Sequence, residues 1–157
     1  MRIIIGCDPG LDGGLAAIAS DGLETLVMPV IPVGKKRQID EDVLTSWLRR
    51  QAVARALVLI EDVHARPGQG VVSMFTFGTG WGLVRGICRG LGLSYELVRP
   101  QEWQRALLIG QPVGSEYAVA SRLWPGAEWR HSDRSEKPHS GLVDAALIAE
   151  YGRRRAG

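Results

Sequence analysis

Two short runs of this sequence hold nothing but apolar residues and stop on a carboxylate. Within a strand read over residues 2–7, Ile3-Ile4-Ile5-Gly6-Cys7 stops at Asp8, and Ala56-Leu57-Val58-Leu59-Ile60 stops at Glu61. Runs this short and this continuously apolar predict strands buried on both faces, the central strands of a parallel or mixed sheet. As parallel neighbours they would bring the two acids together at their C-terminal ends, where ligand sites of open α/β sheets lie.

The remaining 157-residue chain arranges itself around that pair. Its length suits one domain, residues 1–157. Leu15 to Ala19 and Leu23 to Val30 read as strands around the hairpin dipeptide Asp21-Gly22. Residues 32–39, with Lys35-Lys36-Arg37, read as a loop. Asp40 can cap a helix through about Ala54 whose apolar face is Val43, Leu44, Trp47, Leu48 and Ala52. After the second acidic strand come a loop over Val63–Gly70, a long helix over Val71–Leu91 and a strand over Ser94–Val98. The corner Pro100-Gln101-Glu102-Trp103, a helix over Ser115–Leu123, a polar stretch at 126–137 and a helix over Ser140–Arg154 complete the chain. Strands first, then strands alternating with helices, predict an α/β fold with a mixed sheet covered by helices. Cys7 and Cys88 sit in apolar runs, so both are expected buried and reduced, in a cytoplasmic setting. No cysteines or histidines have zinc-ligand spacing. No apolar span of about 18 residues stands out, so no membrane partner is expected.

A third acid completes the chemistry. Asp144 lies within Leu142-Val143-Asp144-Ala145-Ala146-Leu147-Ile148, so its side chain is expected to face the sheet. Three converging carboxylates without a basic partner repel one another unless cations neutralise them. Hard oxygen ligands select Mg²⁺ or Mn²⁺, and two such ions can clamp the attacking and leaving oxygens of a phosphodiester. Asp12, in the glycine turn, and Asp62, pointing away from Glu61 in an extended chain, are set aside as structural.

Gly6-Cys7-Asp8-Pro9-Gly10, Ile60-Glu61 and Val143-Asp144-Ala145-Ala146 resemble the RNase H-like nucleases of the RuvC type. Glu61-Asp62-Val63-His64-Ala65-Arg66-Pro67-Gly68-Gln69-Gly70, Ser73-Met74-Phe75-Thr76-Phe77-Gly78 and Pro100-Gln101-Glu102-Trp103 narrow the resemblance to phage-type RuvC-like Holliday junction resolvases. The resemblance implies a five-stranded mixed sheet, three antiparallel strands then two parallel, with helices on both faces. It also implies a metal-dependent endonuclease, a homodimer that nicks a four-way DNA junction symmetrically, with Asp8, Glu61 and Asp144 as the catalytic and metal-binding acids. Such enzymes commonly carry a fourth ligand three or four residues before the last acid, where this chain has Gly141 and Ser140. Ser140 could cap the final helix or ligate, and His139 could ligate, help activate water or simply lie exposed. A flap or replication-fork nuclease of the same fold, or a junction-binding module without catalysis, are the alternatives. An actin-like or sugar-kinase-type ATPase would need two domains, and no Gly-Lys-Ser/Thr motif is present, so no nucleotide cofactor is expected.

Glycine supplies 20 of the 157 residues, and twelve of the twenty fall within residues 6–14 and 68–92. Gly78, Gly82, Gly86 and Gly90 recur every four residues on the long helix, at a cost of roughly 0.5–1 kcal/mol each relative to Ala. Close packing on the protein's own sheet or a helix contact across a dimer would each explain the stripe. Met74, Phe77, Trp81, Val84, Cys88 and Leu91 form an apolar stripe on another face. Residues placed to meet DNA are His64, Arg66, Gln69 and Ser73, with Phe75 either opening the junction or serving the core. Lys35, Lys36 and Arg37 are a basic reserve. Net charge is only +2, with 16 Arg against 3 Lys. Neutralising the three acids by bound ions raises it to +5 (2 + 3).

Overall fold

A computed structural model describes residues 2–52, 55–64 and 67–157. Its strands are β1 (Ile4–Asp8), β2 (Gly14–Ala19), β3 (Gly22–Val27), β4 (Val30–Val33), β5 (Lys36–Ile39), β6 (Leu57–Glu61) and β7 (Ser94–Val98). The helices are α1 (Glu41–Ala52), α2 (Val71–Gly90), α3 (Pro100–Leu108), α4 (Glu116–Leu123) and α5 (Ser140–Ala156). Five strands form one mixed sheet in the order β3-β2-β1-β6-β7, and β4 and β5 form a separate ribbon. β1 pairs antiparallel with β2 and parallel with β6, and β6 pairs parallel with β7. The expected three-antiparallel-then-two-parallel sheet is the one observed.

Period-two alternation divides the core between the two faces of that sheet. Ile4, Ala16, Ile18 and Leu59 join α5, with Trp103 and Leu107 of α3 and Val119 and Ala120 of α4. Ile5, Cys7, Leu15, Ala17, Val58 and Ile60 join Leu44, Trp47 and Leu48 of α1 and Val84 and Cys88 of α2. Helices therefore cover both faces, and both cysteines are buried and free.

Several local expectations change. Residues 32–39 are not a loop: β4 and β5 make a two-residue hairpin whose turn uses Gly34 at φ +60°. The charges of Lys36-Arg37-Gln38 conceal the strand, because a ribbon exposed to water tolerates polar residues on both faces. The third strand ends at Val27, and Met28 buries itself while its N–H donates to the Gly13 carbonyl at 3.1 Å. Asp40 caps α1 as expected, accepting from Val43 N–H at 3.0 Å. Val43 itself is exposed, and Gln51 takes the buried position. That helix is described to Ala52, so the expected end at Ala54 lies outside the described residues. The Pro100 corner is the first turn of α3: proline fits there because no N–H is required, and Glu102 accepts from Arg99 N–H at 2.9 Å. Finally, α2 is long and apolar enough to cross a membrane by length and composition alone, contrary to the expectation that no such span exists. In this fold Val84 and Cys88 of that helix pack into the core.

Candidate active site

The parallel pairing of β1 with β6 sets Cys7 opposite Ile60, so the next residue of each strand, Asp8 and Glu61, stands at the same end of the sheet. Past Asp8 the chain turns sharply. Gly10 N–H donates to Asp8 Oδ1 at 3.3 Å, and Gly13 N–H to the Gly10 carbonyl at 2.9 Å. Asp144, in the second turn of α5, reaches the same place because that helix lies directly against the sheet. A Cβ on Gly6 would strike the backbone of Ala145 and Ala149, and one on Gly141 would lie 2.5 Å from the Asp12 carbonyl oxygen. Absent side chains thus let the backbone of α5 close onto β1 and its turn.

The three half-buried acids act on one another. Burial raises the pKa of Glu61, and Asp8 raises it further. Asp144 is pushed up to about 7, by burial first and then by Asp8, Glu61 and Glu116. Burial also raises Asp8, opposed by the Gly10 N–H and by His139. No Lys or Arg among the described residues is a cause of any of the three shifts. Among the described residues no group of three or more His, Cys, Asp or Glu is arranged closely enough to hold a metal ion. The donor set, three mutually repelling carboxylates without a basic partner among the described residues, has the chemistry of a hard divalent cation's ligands, completed by water and phosphate oxygens.

Trp103, in the Pro100-Gln101-Glu102-Trp103 corner, touches the site without being among the expected site residues. Its ring is buried in the α3 core, and its Nε1–H donates to Glu61 Oε1 at 3.0 Å. The bond favours the ionised form of Glu61 and opposes the effect of burial. The signal available was Trp103 three residues after Pro100, which puts the indole on the first turn of a helix that follows the strand next to β6.

The missing fourth acid has a steric reason. Gly141 is sealed against the Asp12–Gly13 backbone, where any side chain would collide. Ser140 is exposed, and the cap of α5 is His139 instead: its Nδ1 accepts from Leu142 N–H at 3.3 Å. A neutral imidazole with an accepting Nδ1 carries its proton on Nε2, so its other nitrogen presents a donor and not a metal-binding lone pair. Burial and the neighbouring His131, 5.7 Å away between ring centres, lower the His139 pKa.

The expected DNA-facing residues gather on two sides of this end of the sheet. His64 is exposed, with Nε2 3.3 Å from Asp62 Oδ2, and Gln69 and Ser73 are exposed as well. Arg66 lies outside the described residues. Phe75 is 77% exposed, so a core role is excluded. Lys35, Lys36 and Arg37 lie on the ribbon, where Arg37 forms a two-pronged bond to Asp12 at 3.0 and 3.4 Å. That pair holds the Asp12 carboxyl below its usual range and ties the ribbon to the turn that carries Asp8. Gly78, Gly82, Gly86 and Gly90 meet nothing within 4 Å, so the stripe is not packed on the protein's own sheet. The glycine that α2 does use for packing is Gly80, against Ile39 and the Pro9 carbonyl. The apolar stripe faces the core, with Val84 and Cys88 buried and Met74, Phe77, Trp81 and Leu91 half-buried.

No protein-family profile matches the sequence, and no curated protein sequence matches it significantly. Solved structures do match. The five-stranded mixed sheet with helices on both faces is the fold of RuvC. The RuvC structure from Thermus thermophilus superposes with a TM-score of 0.62 at 16% identity, over 99% of this chain and 97% of that one. T. thermophilus RuvC in complex with a Holliday junction substrate gives 0.63 at the same identity and coverage. The yeast mitochondrial Holliday junction resolvase Ydc2 gives 0.52 at 13% identity, over 96% of this chain and 77% of that one.

Proposed function

We propose that this protein is a metal-dependent endonuclease that resolves four-way DNA junctions by paired, symmetrical nicks. The observation that carries the reading is the convergence of Asp8, Glu61 and Asp144 at the C-terminal end of β1 and β6, each raised by burial and coupled to another. The fold likeness to two junction resolvases supports the choice of substrate. Asp8, Glu61 and Asp144 would hold Mg²⁺ or Mn²⁺, in two sites. When bound, the ions would supply Lewis acidity at the scissile phosphate and lower the pKa of an attacking water.

The chain's own residues do the remaining work. Trp103 holds one Glu61 oxygen by its Nε1–H and so fixes where the other points. The Gly10 N–H orients Asp8. His139 caps α5, which fixes the helix that delivers Asp144, and its Nε2–H is free to donate to a phosphate oxygen or a leaving alkoxide. Lys35, Lys36 and Arg37 on the ribbon attract the phosphate backbone, with Arg37 exchanging Asp12 for phosphate. His64, Gln69 and Ser73 form the opposite wall, and the exposed Phe75 ring wedges between bases at the crossover. The uncovered glycine stripe of α2 is the contact with a second copy, which places two such sites on one junction.

Labelled four-way junctions, flaps, forked duplexes and linear duplexes, cut under single-turnover conditions, test this reading. Two symmetry-related nicks in the four-way junction and little cutting of linear duplex are expected. Equal cutting of linear duplex would overturn the choice of substrate.

A further inference from the structure

The end of the sheet opposite the acids holds a cavity of about 680 Å³ that the catalytic reading leaves unused. It opens where β1, β6 and β7 begin, and its walls include Arg2, Arg55, Ala56, Leu91, Leu93 and Ser94. Asp8 and Glu61 stand where β1 and β6 stop, so roughly 15 Å of strand separates the two places.

The lining combines an apolar floor with two cations. Ala56 and Leu93 are buried and Leu91 is half-buried, while Arg2 and Arg55 are exposed. Arg2 Nε–H donates to the Arg55 carbonyl at 3.1 Å, so the Arg2 head is pinned to the backbone that bears Arg55. Neither guanidinium pairs with a carboxylate among the described residues. Arginines in the last turns of α1 and α2 offset the negative ends of those helices. Arg2 and Arg55 belong to neither helix and stand as surplus charge. Arg55 is also the one non-glycine among the described residues with left-handed backbone, at φ +56°. Glycine takes that conformation without strain, so the turn itself does not call for arginine. What arginine adds there is its guanidinium on the cavity wall.

Two forked guanidiniums exceed the needs of one carboxylate and match the oxygens of a phosphate. The volume lies within the range of about 300–1,000 Å³ usual for small-ligand sites, which are mostly apolar with a few placed polar groups. We propose that this cavity binds a nucleotide, with its phosphate at Arg2 and Arg55 and its nucleoside on the apolar floor. The site does not depend on the nuclease reading, and the nucleotide is a ligand remote from the acids, not a cofactor of cleavage. A free mononucleotide and the phosphorylated end of a DNA strand present the same chemistry.

Calorimetric titration of the full chain with deoxyadenosine monophosphate and with deoxyadenosine tests it, in EDTA so that no metal holds phosphate at the acids. Wild-type protein is expected to bind one equivalent of the monophosphate, and the nucleoside about tenfold or more weakly, the worth of charge-assisted hydrogen bonds to a phosphate. Arg55→Gly removes one guanidinium and relaxes the left-handed backbone. It should unfold no earlier than wild type and still lose about tenfold in affinity. Arg2→Gln should show the same loss. A 5′-phosphorylated oligonucleotide that binds wild type more tightly than its 5′-hydroxyl counterpart, but not Arg55→Gly, assigns the phosphate to a strand end; equal binding assigns it to the free nucleotide. Monophosphate that binds no tighter than the nucleoside, or that binds either variant as it binds wild type, overturns the proposal.

Discussion

Asp144 is the residue whose chemistry is furthest from ordinary. Its pKa of about 7, against an ordinary 3.8, means that the folded protein keeps a proton there that the unfolded chain has released across that interval. Unfolding free energy therefore falls as pH rises from about 4 to 7, and the raised Asp8 and Glu61 act with the same sign. Thermal unfolding of metal-free protein should show a midpoint that drops across this range. Asp144→Asn should flatten the drop and raise the midpoint at pH 8, while abolishing cleavage. A lower midpoint for the variant at pH 8 would contradict the picture of uncompensated repulsion. Trp103 makes a second test. Trp103→Phe keeps most of the buried ring and removes only the donor to Glu61. The cleavage rate should fall by about tenfold, the order expected for losing a hydrogen bond to a charged group. The acidic limb of the pH–rate profile should also move upward, because Glu61 loses the bond that favours its ionised form. A lower rate with an unmoved limb would assign Trp103 to packing alone.

At the scale of elements, the site depends on how closely α5 approaches β1, and glycines set that distance. Gly141→Ala places a methyl 2.5 Å from the Asp12 carbonyl oxygen and should destabilise by about 3 kcal/mol in chemical denaturation. Gly82→Ala meets nothing within 4 Å and, in a monomer, should stabilise α2 by about 0.5–1 kcal/mol. Much of this arrangement was legible in the sequence. The apolar runs before Asp8 and Glu61 could only be central strands, and the apolar surroundings of Asp144 placed it inward. Gly141 was not legible as a packing residue, because its neighbour Gly13 is 128 positions away (141 − 13) and only the folded chain brings them together. The ribbon of β4 and β5 escaped because charged residues carry no period-two signal. The part of Trp103 in the site was not legible because its hydrogen-bond partner lies 42 residues earlier.

The whole molecule presents one acidic end framed by basic and aromatic groups, and one helix with an uncovered glycine face. Four open glycines on α2 forfeit on the order of 2–4 kcal/mol of helix propensity that no contact among the described residues recovers. In the proposed dimer a helix from a second copy offsets it. Sedimentation should show a dimer that Gly82→Leu or Gly86→Leu converts to monomer without loss of helical content. An unchanged association constant would place the stripe elsewhere in the function. The most direct measurement of the central claim is cleavage of a labelled four-way junction by wild-type protein and by Asp8→Asn, each with Mg²⁺ and with EDTA. Paired nicks from wild-type protein in Mg²⁺, and none in the other three conditions, are the result expected of a carboxylate-held metal. Nicks that persist in EDTA, or in Asp8→Asn with Mg²⁺, would contradict it.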